Sequence, residues 1–260
     1  MSYLFNLGRY NLIEGEVTVH NTPVTFNGQS ITDFVPYANV LDVRIGHPTI
    51  INTTITPGVS SGELFVRSRH STRRIEVDIE LPLDQETYPE NVRAIKAWAH
   101  SEQPKRMTVS AYKSRYIMAI CSNINTFSLR DWWLPITLQF DCFDAYFVSV
   151  HPNEAPIGSA FTISGDEEPI VTVTHQLGSS GSLSAPVWQF DGNQQIKLKP
   201  GTVVTGGSLE IDLAKQSVSH GDVSLMDKVT LNSRFPHLAP GNHIITGPSG
   251  GVISWHERWL

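Results

Sequence analysis

Residues Arg73 to Leu81 read RRIEVDIEL. Ile75, Val77 and Ile79 take alternate positions, and Arg74, Glu76, Asp78 and Glu80 fill the places between. Successive side chains on a strand point to opposite faces, so this strict period of two marks a half-buried β-strand. Toward the N-terminus, VTVHNTPVTF (17–26) is strand-like with a break at Pro23. AsnGly at 27–28 and an extended stretch from Ile31 to Val35 then lead into the longer strand NVLDVRIG. Toward the C-terminus, TYPENVRAIKAWAHSEQ predicts a helix over about 88–101. Thr87 is a candidate cap, Pro89 suits the first turn, and Glu90 complements the positive end of the macrodipole. Val92, Ile95, Trp98 and Ala99 share one face, and Pro104 prevents continuation. MTVSAY, YIMAICSNI and PITLQFDCFDAYFVSV follow as strands. Of the adjacent Trp132 and Trp133, one is expected in the core and one near another surface.

Between the strands ending at Gly46 and starting at Arg73 lies HPTIINTTITPGVSSGELFVRSRHST. Its β-branched start, ProGly at 57–58 and SerSerGly at 60–62 fit an extended hairpin or a long loop, and long loops in compact domains are usually functional or disordered. Ile50, Ile51, Leu64 and Phe65 would be a liability if exposed on a monomer. A hairpin folded back over its own core fits the sequence as well as one that reaches outward.

HPNEAP (151–156) interrupts the periodicity and reads as an inter-domain linker, dividing the chain into 1–150 and 151–260. Beyond it FTISG, PIVTVTHQ, APVWQFDG, QIKLKPG, SLEIDL, DKVTLNS and HIITG recur as short strands, the pattern of a β-sandwich or barrel. GSSGS at 178–182 reads as a flexible loop. The fold class is mainly β.

The composition narrows the function. The chain has 260 residues, of which 17% are charged, with 19 Lys and Arg against 25 Asp and Glu. A charged share of ~25% is usual. The acidic balance argues against a basic nucleic-acid binder, and a low-charge surface fits a subunit that buries much of itself. Cys121 and Cys142 are too few for a disulfide scaffold and are expected to be free, buried thiols of a protein made in a reducing cytoplasm. No signal peptide is visible, and no apolar run is long enough to span a membrane.

The chemical motifs point away from an enzyme. Glycines 58, 178 and 206 lack the Gly-Lys-Ser/Thr ending of a phosphate loop, and no G-x-S-x-G elbow is present. His237 and His243 flank the turn PHLAPGNH, and no HExxH supports zinc. Asp166-Glu167-Glu168 and Asp191-Gly192-Asn193 read as turns before they read as cation loops. Trp188 is expected in the core of its alternating strand. Trp255 and Trp259 in SWHERWL are candidate glycan or partner contacts, in a segment that either closes the second domain or returns to the first.

Taken in order, RRIEVDIEL, the helix with Trp98, the strand from Tyr112 to Ile120, LQFDCFDAYF, SAPVWQFDG, SLEIDL and FPHLAPGNHII resemble the distal tail protein (Dit) family of long, non-contractile-tailed bacteriophages, chiefly of Gram-positive hosts. The family pattern ends the first half in Asp-Pro-Tyr, where this chain has Ala145. The resemblance implies a β-sandwich-like first domain with one helix and a long protruding hairpin over about 46–74. A galectin-like or carbohydrate-binding-module-like sandwich follows it. It further implies a structural virion protein without cofactors: a homohexameric ring at the tail tip or baseplate. One face of that ring would meet the major tail tube protein and the other the tail-associated lysin or fibre protein. DNA would pass the central channel without specific binding, and the second domain would be able to carry receptor-binding proteins. Ile50, Ile51, Leu64, Phe65, Arg67 and Arg69 are then the expected subunit contacts. The competing expectation is a cell-wall carbohydrate-binding module in the second domain.

Overall fold

The computed structural model of the chain describes residues 11–13, 16–35, 38–55, 64–82, 88–126, 133–191 and 194–260. It divides into two units, the first running to Phe147 and the second spanning Val148–Trp259. Strands of the first unit are β1 (Asn11–Ile13), β2 (Glu16–His20), β3 (Val24–Phe26), β4 (Gln29–Ser30), β5 (Asn39–Gly46), β6 (Ile50–Ile55), β7 (Leu64–His70), β8 (Arg73–Pro82), β9 (Lys105–Val109), β10 (Arg115–Thr126) and β11 (Trp133–Cys142). Two helices join them, α1 (Ile31–Phe34) and α2 (Tyr88–Ala99).

The alternation of RRIEVDIEL places β8 in the middle of an antiparallel sheet ordered β1-β2-β5-β8-β11-β10, which β10 continues through β9 to β3 and β4. β8 pairs with β11 along its length, from Arg73 opposite Cys142 to Pro82 opposite Trp133. Ile75, Val77, Ile79 and Leu81 are fully buried on the inward face, each worth about 1.5–3 kcal/mol relative to exposure. On the outward face Arg44 of β5 bonds Glu76 at 2.9 Å and Asp78 at 3.0 Å, and Gln139 of β11 donates to Glu76 at 3.0 Å. α2 closes the inward side with Ile95, Trp98 and Ala99 buried. Phe26 and Phe140 pack there with ring centroids 5.2 Å apart, Trp98 lies 5.8 Å from Phe26, and the Trp98 indole donates to Gln29 O at 3.1 Å.

The parity that buries Ile75 also turns Arg73 inward. Its guanidinium carbon sits 4.9 Å from the centre of the Phe147 ring, and burial depresses its pKa. The stretch 31–35 is not extended as expected. Ile31 and Val35, four residues apart, are both fully buried, and one helical turn puts that spacing on one face. The Thr87 cap and Trp132 lie outside the described residues. Both cysteines are free. Burial pushes the Cys142 thiol up to about 12 and Cys121, only half-buried, up to about 11.

The short β12 (Phe147–Ser149) spans the point where the first unit ends and the second begins. The second unit then holds β13 (Asn153–Pro156), β14 (Ala160–Ile163), β15 (Glu167–Ser184), β16 (Val187–Gln189), β17 (Gln195–Lys197), β18 (Val203–Asp212), β19 (Ser217–His220), β20 (Val223–Ser224), β21 (Gly241–Ile244) and β22 (Gly251–Trp259). One sheet runs β13-β22-β15-β18-β19-β20. The pairs β14–β21 and β16–β17, tied by a bridge from Gln189 to Thr246, form the opposite layer. Phe161, Trp188 and Ile196 of that layer meet Val173, Leu209, Ile211 and Ile253 of the first in one core.

Three expectations are corrected here. HPNEAP is no linker, because Asn153–Pro156 pairs with β22 and belongs to the sandwich. GSSGS is an irregularity within β15, whose pairing with β18 skips from Leu177 opposite Gly207 to Ser182 opposite Thr205. DKVTLNS forms a 3-10 turn at Met226–Lys228 and a single bridge from Val229 to Leu198.

Trp188, fully buried, donates its indole N–H to His175 Nε2 at 2.9 Å, and His175 is 1% exposed. An imidazole accepting there carries its proton on Nδ1 and is neutral. Burial holds its pKa below the ordinary 6.5. Unfolded His175 is protonated as pH falls through about 6.5, whereas folded His175 resists until lower pH. In that window the unfolded state binds more protons, so stability is intact above about pH 6.5 and declines below it. Thermal melts should show a falling midpoint between pH 7 and pH 5.5, and a His175→Gln variant should show a smaller fall.

Candidate functional site

The segment between β5 and β8 is a hairpin. β6 and β7 pair with each other and, among the described strands, with nothing else. Ile50 lies opposite His70, Ile51 opposite Arg69, Asn52 opposite Ser68 and Thr53 opposite Arg67. The register then shifts, so that Thr54 faces Phe65 and Val66 is the extra residue. Such a bulge bends the strand and strengthens its twist. The root is clipped twice: Ser71 N–H donates to Thr49 O at 2.8 Å, and Thr49 N–H donates to Ser71 Oγ at 2.9 Å. His70 is anchored edge-on to Tyr146, 5.6 Å away.

A hairpin lying on its own core buries every second residue. Here Phe65 through Arg69 are consecutively exposed, as are Ile50, Ile51, Asn52 and Thr54. Ile50 and Phe65 are each 64% exposed and Val66 48%. The element is an arm with both faces in solvent, which decides between the two sequence readings. By register, Arg67, Arg69, Thr53 and Ile51 share one face, while Ile50, Asn52, Ser68 and His70 share the other. Leu64 pairs with Ile55; its side chain and the turn at 56–63 lie outside the described residues. Val66 and the Thr49–Ser71 clip were missed from the sequence, because neither leaves a periodic signal. Two-stranded ribbons are marginal alone in water, and exposed apolar strands with open edges are templates for pairing.

The other candidate residues do not assemble into a site. Trp255 is 5% exposed and packs on Phe161 at 4.8 Å, so its ring offers no platform for a sugar. Trp259 is half-buried at the end of β22. His243 bonds Asp191 through Nδ1 and donates from Nε2 to Ala239 O at 2.6 Å, and His237 bonds Glu168 at 2.8 Å. These imidazoles fasten turns. Among the described residues no group of three or more His, Cys, Asp or Glu is placed to hold a metal ion, and no described helix is long and apolar enough to cross a membrane.

Residues 164–259 match the family model of the siphovirus-type tail component, C-terminal domain. The fold is that of the SPP1 Dit protein (gp 19.1), whose crystal structure is described as a paradigm of the hub adsorption apparatus in phages infecting Gram-positive hosts. The TM-score is 0.75 at 16% identity, over 92% of this chain and 99% of that one. Chains of the phage P2 baseplate in its activated conformation match at TM-scores of 0.44 with Ca and 0.45 with Sr. Their identities are 11% and 9%, each covering 91% of this chain and 97% of that chain. Comparison with curated proteins finds no match. The second unit is thus similar to a siphovirus-type tail component domain, and the chain has the fold of the SPP1 protein. The chain therefore resembles the distal tail proteins, as its ordered motifs implied, through the tail-component match at residues 164–259 and the SPP1-like fold over 92% of its length.

Proposed function

We propose that this chain is the hub at the distal end of a phage tail: a closed ring of six copies formed through the first unit, in which the β6–β7 arm of each copy grips the next. The arm is the single observation that carries this reading. It exposes Ile50, Ile51, Phe65 and Val66 on a hairpin with no partner strand of its own among the described residues. A ring closes through a heterologous contact, one surface meeting a different surface on the neighbour. An arm with free edges supplies such a contact by pairing its backbone onto the next copy. In this reading Ile50, Ile51, Leu64, Phe65, Arg67 and Arg69 are interface residues. One ring face joins the tail tube and the other the tail-associated lysin or fibre protein, at the tip of a virion made in the host cytoplasm. The excess of acidic over basic residues suits a channel that DNA passes without adhering. The role is mechanical, with no catalytic step. Size-exclusion chromatography with light scattering tests it: the expected mass is six times the 28.9 kDa chain, and a monomer at micromolar concentration contradicts it.

A further inference from the structure

The second unit has a groove of about 590 Å³ whose lining includes Lys199, Val203, Thr205, His220, Leu225 and Lys228. One wall is a strand edge left open. β19 pairs with β18 only from Leu209 to Asp212, and Gly221 N–H reaches Ser208 O as the chain turns away. Over Val203–Thr205, before His220 Nε2 meets Gly206 O at 2.5 Å, β18 therefore has a neighbouring strand on one side only, where these residues lie opposite Ser184, Leu183 and Ser182 of β15. The bond from Ala185 N–H to Thr202 O sets the parity. Thr202 and Val204 turn their backbone groups toward β15, so Val203 and Thr205 turn theirs toward the groove, where no described residue pairs with them.

The surroundings fit an added strand. Val203 is 57% exposed, and Val223 and Met226 nearby are 64% and 40% exposed. Lys199 and Lys228 stand on the rim, in a unit where acidic residues outnumber basic ones. Both lysines are exposed; Lys199 donates to Asp227 O at 2.6 Å and Lys228 pairs with the Asp227 carboxylate at 2.9 Å. Solvated pairs of that kind are worth little and exchange readily. We infer that this groove takes an extended peptide segment of a partner protein, paired in β fashion along Val203–Thr205 and carrying carboxylates toward Lys199 and Lys228. Main-chain bonds would supply the affinity, and the lysines with the valine the selectivity. The inference does not rest on ring formation, since the groove lies wholly within the second unit.

The test uses the full chain and a fluorescent pentapeptide, acetyl-Glu-Val-Thr-Val-Glu-amide, with its Lys-Val-Thr-Val-Lys counterpart as control. Saturable binding of the acidic peptide is expected, at least tenfold tighter than that of the basic one, with slowed amide exchange at Val203 and Thr205. Thr205→Pro removes a donor that faces the groove and spares the ladder to β15, as proline at a strand edge does. It should abolish binding while the melting curve stays within a few degrees. Lys199→Glu with Lys228→Glu should weaken the acidic peptide and favour the basic one. No saturable binding at millimolar peptide, equal affinity for both peptides, or binding unaffected by Thr205→Pro would overturn the inference. So would saturable binding of a neutral oligosaccharide in the groove without any peptide binding.

Discussion

If the proposed ring forms, a chain carrying Ile50→Asp and Phe65→Asp should stay monomeric at concentrations where the unaltered chain assembles. Both side chains are about two-thirds exposed, at 64%, so the fold loses little by the change; surface substitutions usually fall within about 0.5 kcal/mol. The interface loses far more. An aromatic or large apolar anchor at the centre of a contact is worth about 2 kcal/mol or more, and two buried carboxylates without partners add a desolvation penalty. Together these weaken each contact by a factor on the order of a thousand, and a closed ring repeats the loss at every junction. Light scattering reads the assembly, and the melting midpoint, compared at a concentration low enough that both chains are monomeric, should shift by no more than about 3 °C. A large fall in the midpoint would mean that the arm packs on its own chain.

The opposite pattern is expected of Trp188→Ala. This side chain is fully buried, and removing a large aromatic from a core costs about 3–5 kcal/mol. His175 Nε2, its hydrogen-bond acceptor at 2.9 Å, is left buried without a donor, which adds to the loss. A fall of roughly 10 °C or more in the melting midpoint follows for a chain of this length. Trp188→Phe keeps most of the volume and should give a smaller fall, traceable to the orphaned imidazole. An unchanged midpoint for Trp188→Ala would remove Trp188 from the core and reopen the second unit's tryptophans as a sugar surface.

Much of this was legible in the residues, for identifiable reasons. RRIEVDIEL fixed the central strand because a half-buried strand must alternate, and the face of Ile95, Trp98 and Ala99 fixed α2 because a helix on a sheet must be amphipathic. The same rule placed Trp188 inside. What failed had no periodic signature. HPNEAP looks like punctuation, yet its backbone completes the sheet edge beside β22, and backbone pairing is indifferent to composition. Trp255 sits at an inward position of β22, and only the register of that strand reveals that its ring meets Phe161. From its residues the arm was legible as a hairpin or a long loop, and its protrusion followed only from the family resemblance: apolar content alone is the same whether a hairpin covers its own core or reaches out. The exposure of consecutive residues 65–69 supplies the difference.

The most direct test of the account is electron microscopy of the purified, unaltered chain. It predicts six-fold rings with an open centre, in which the density of β6 and β7 from each copy lies against the first unit of the next. Single copies, or rings whose arms project into solvent and touch no neighbour, would contradict it.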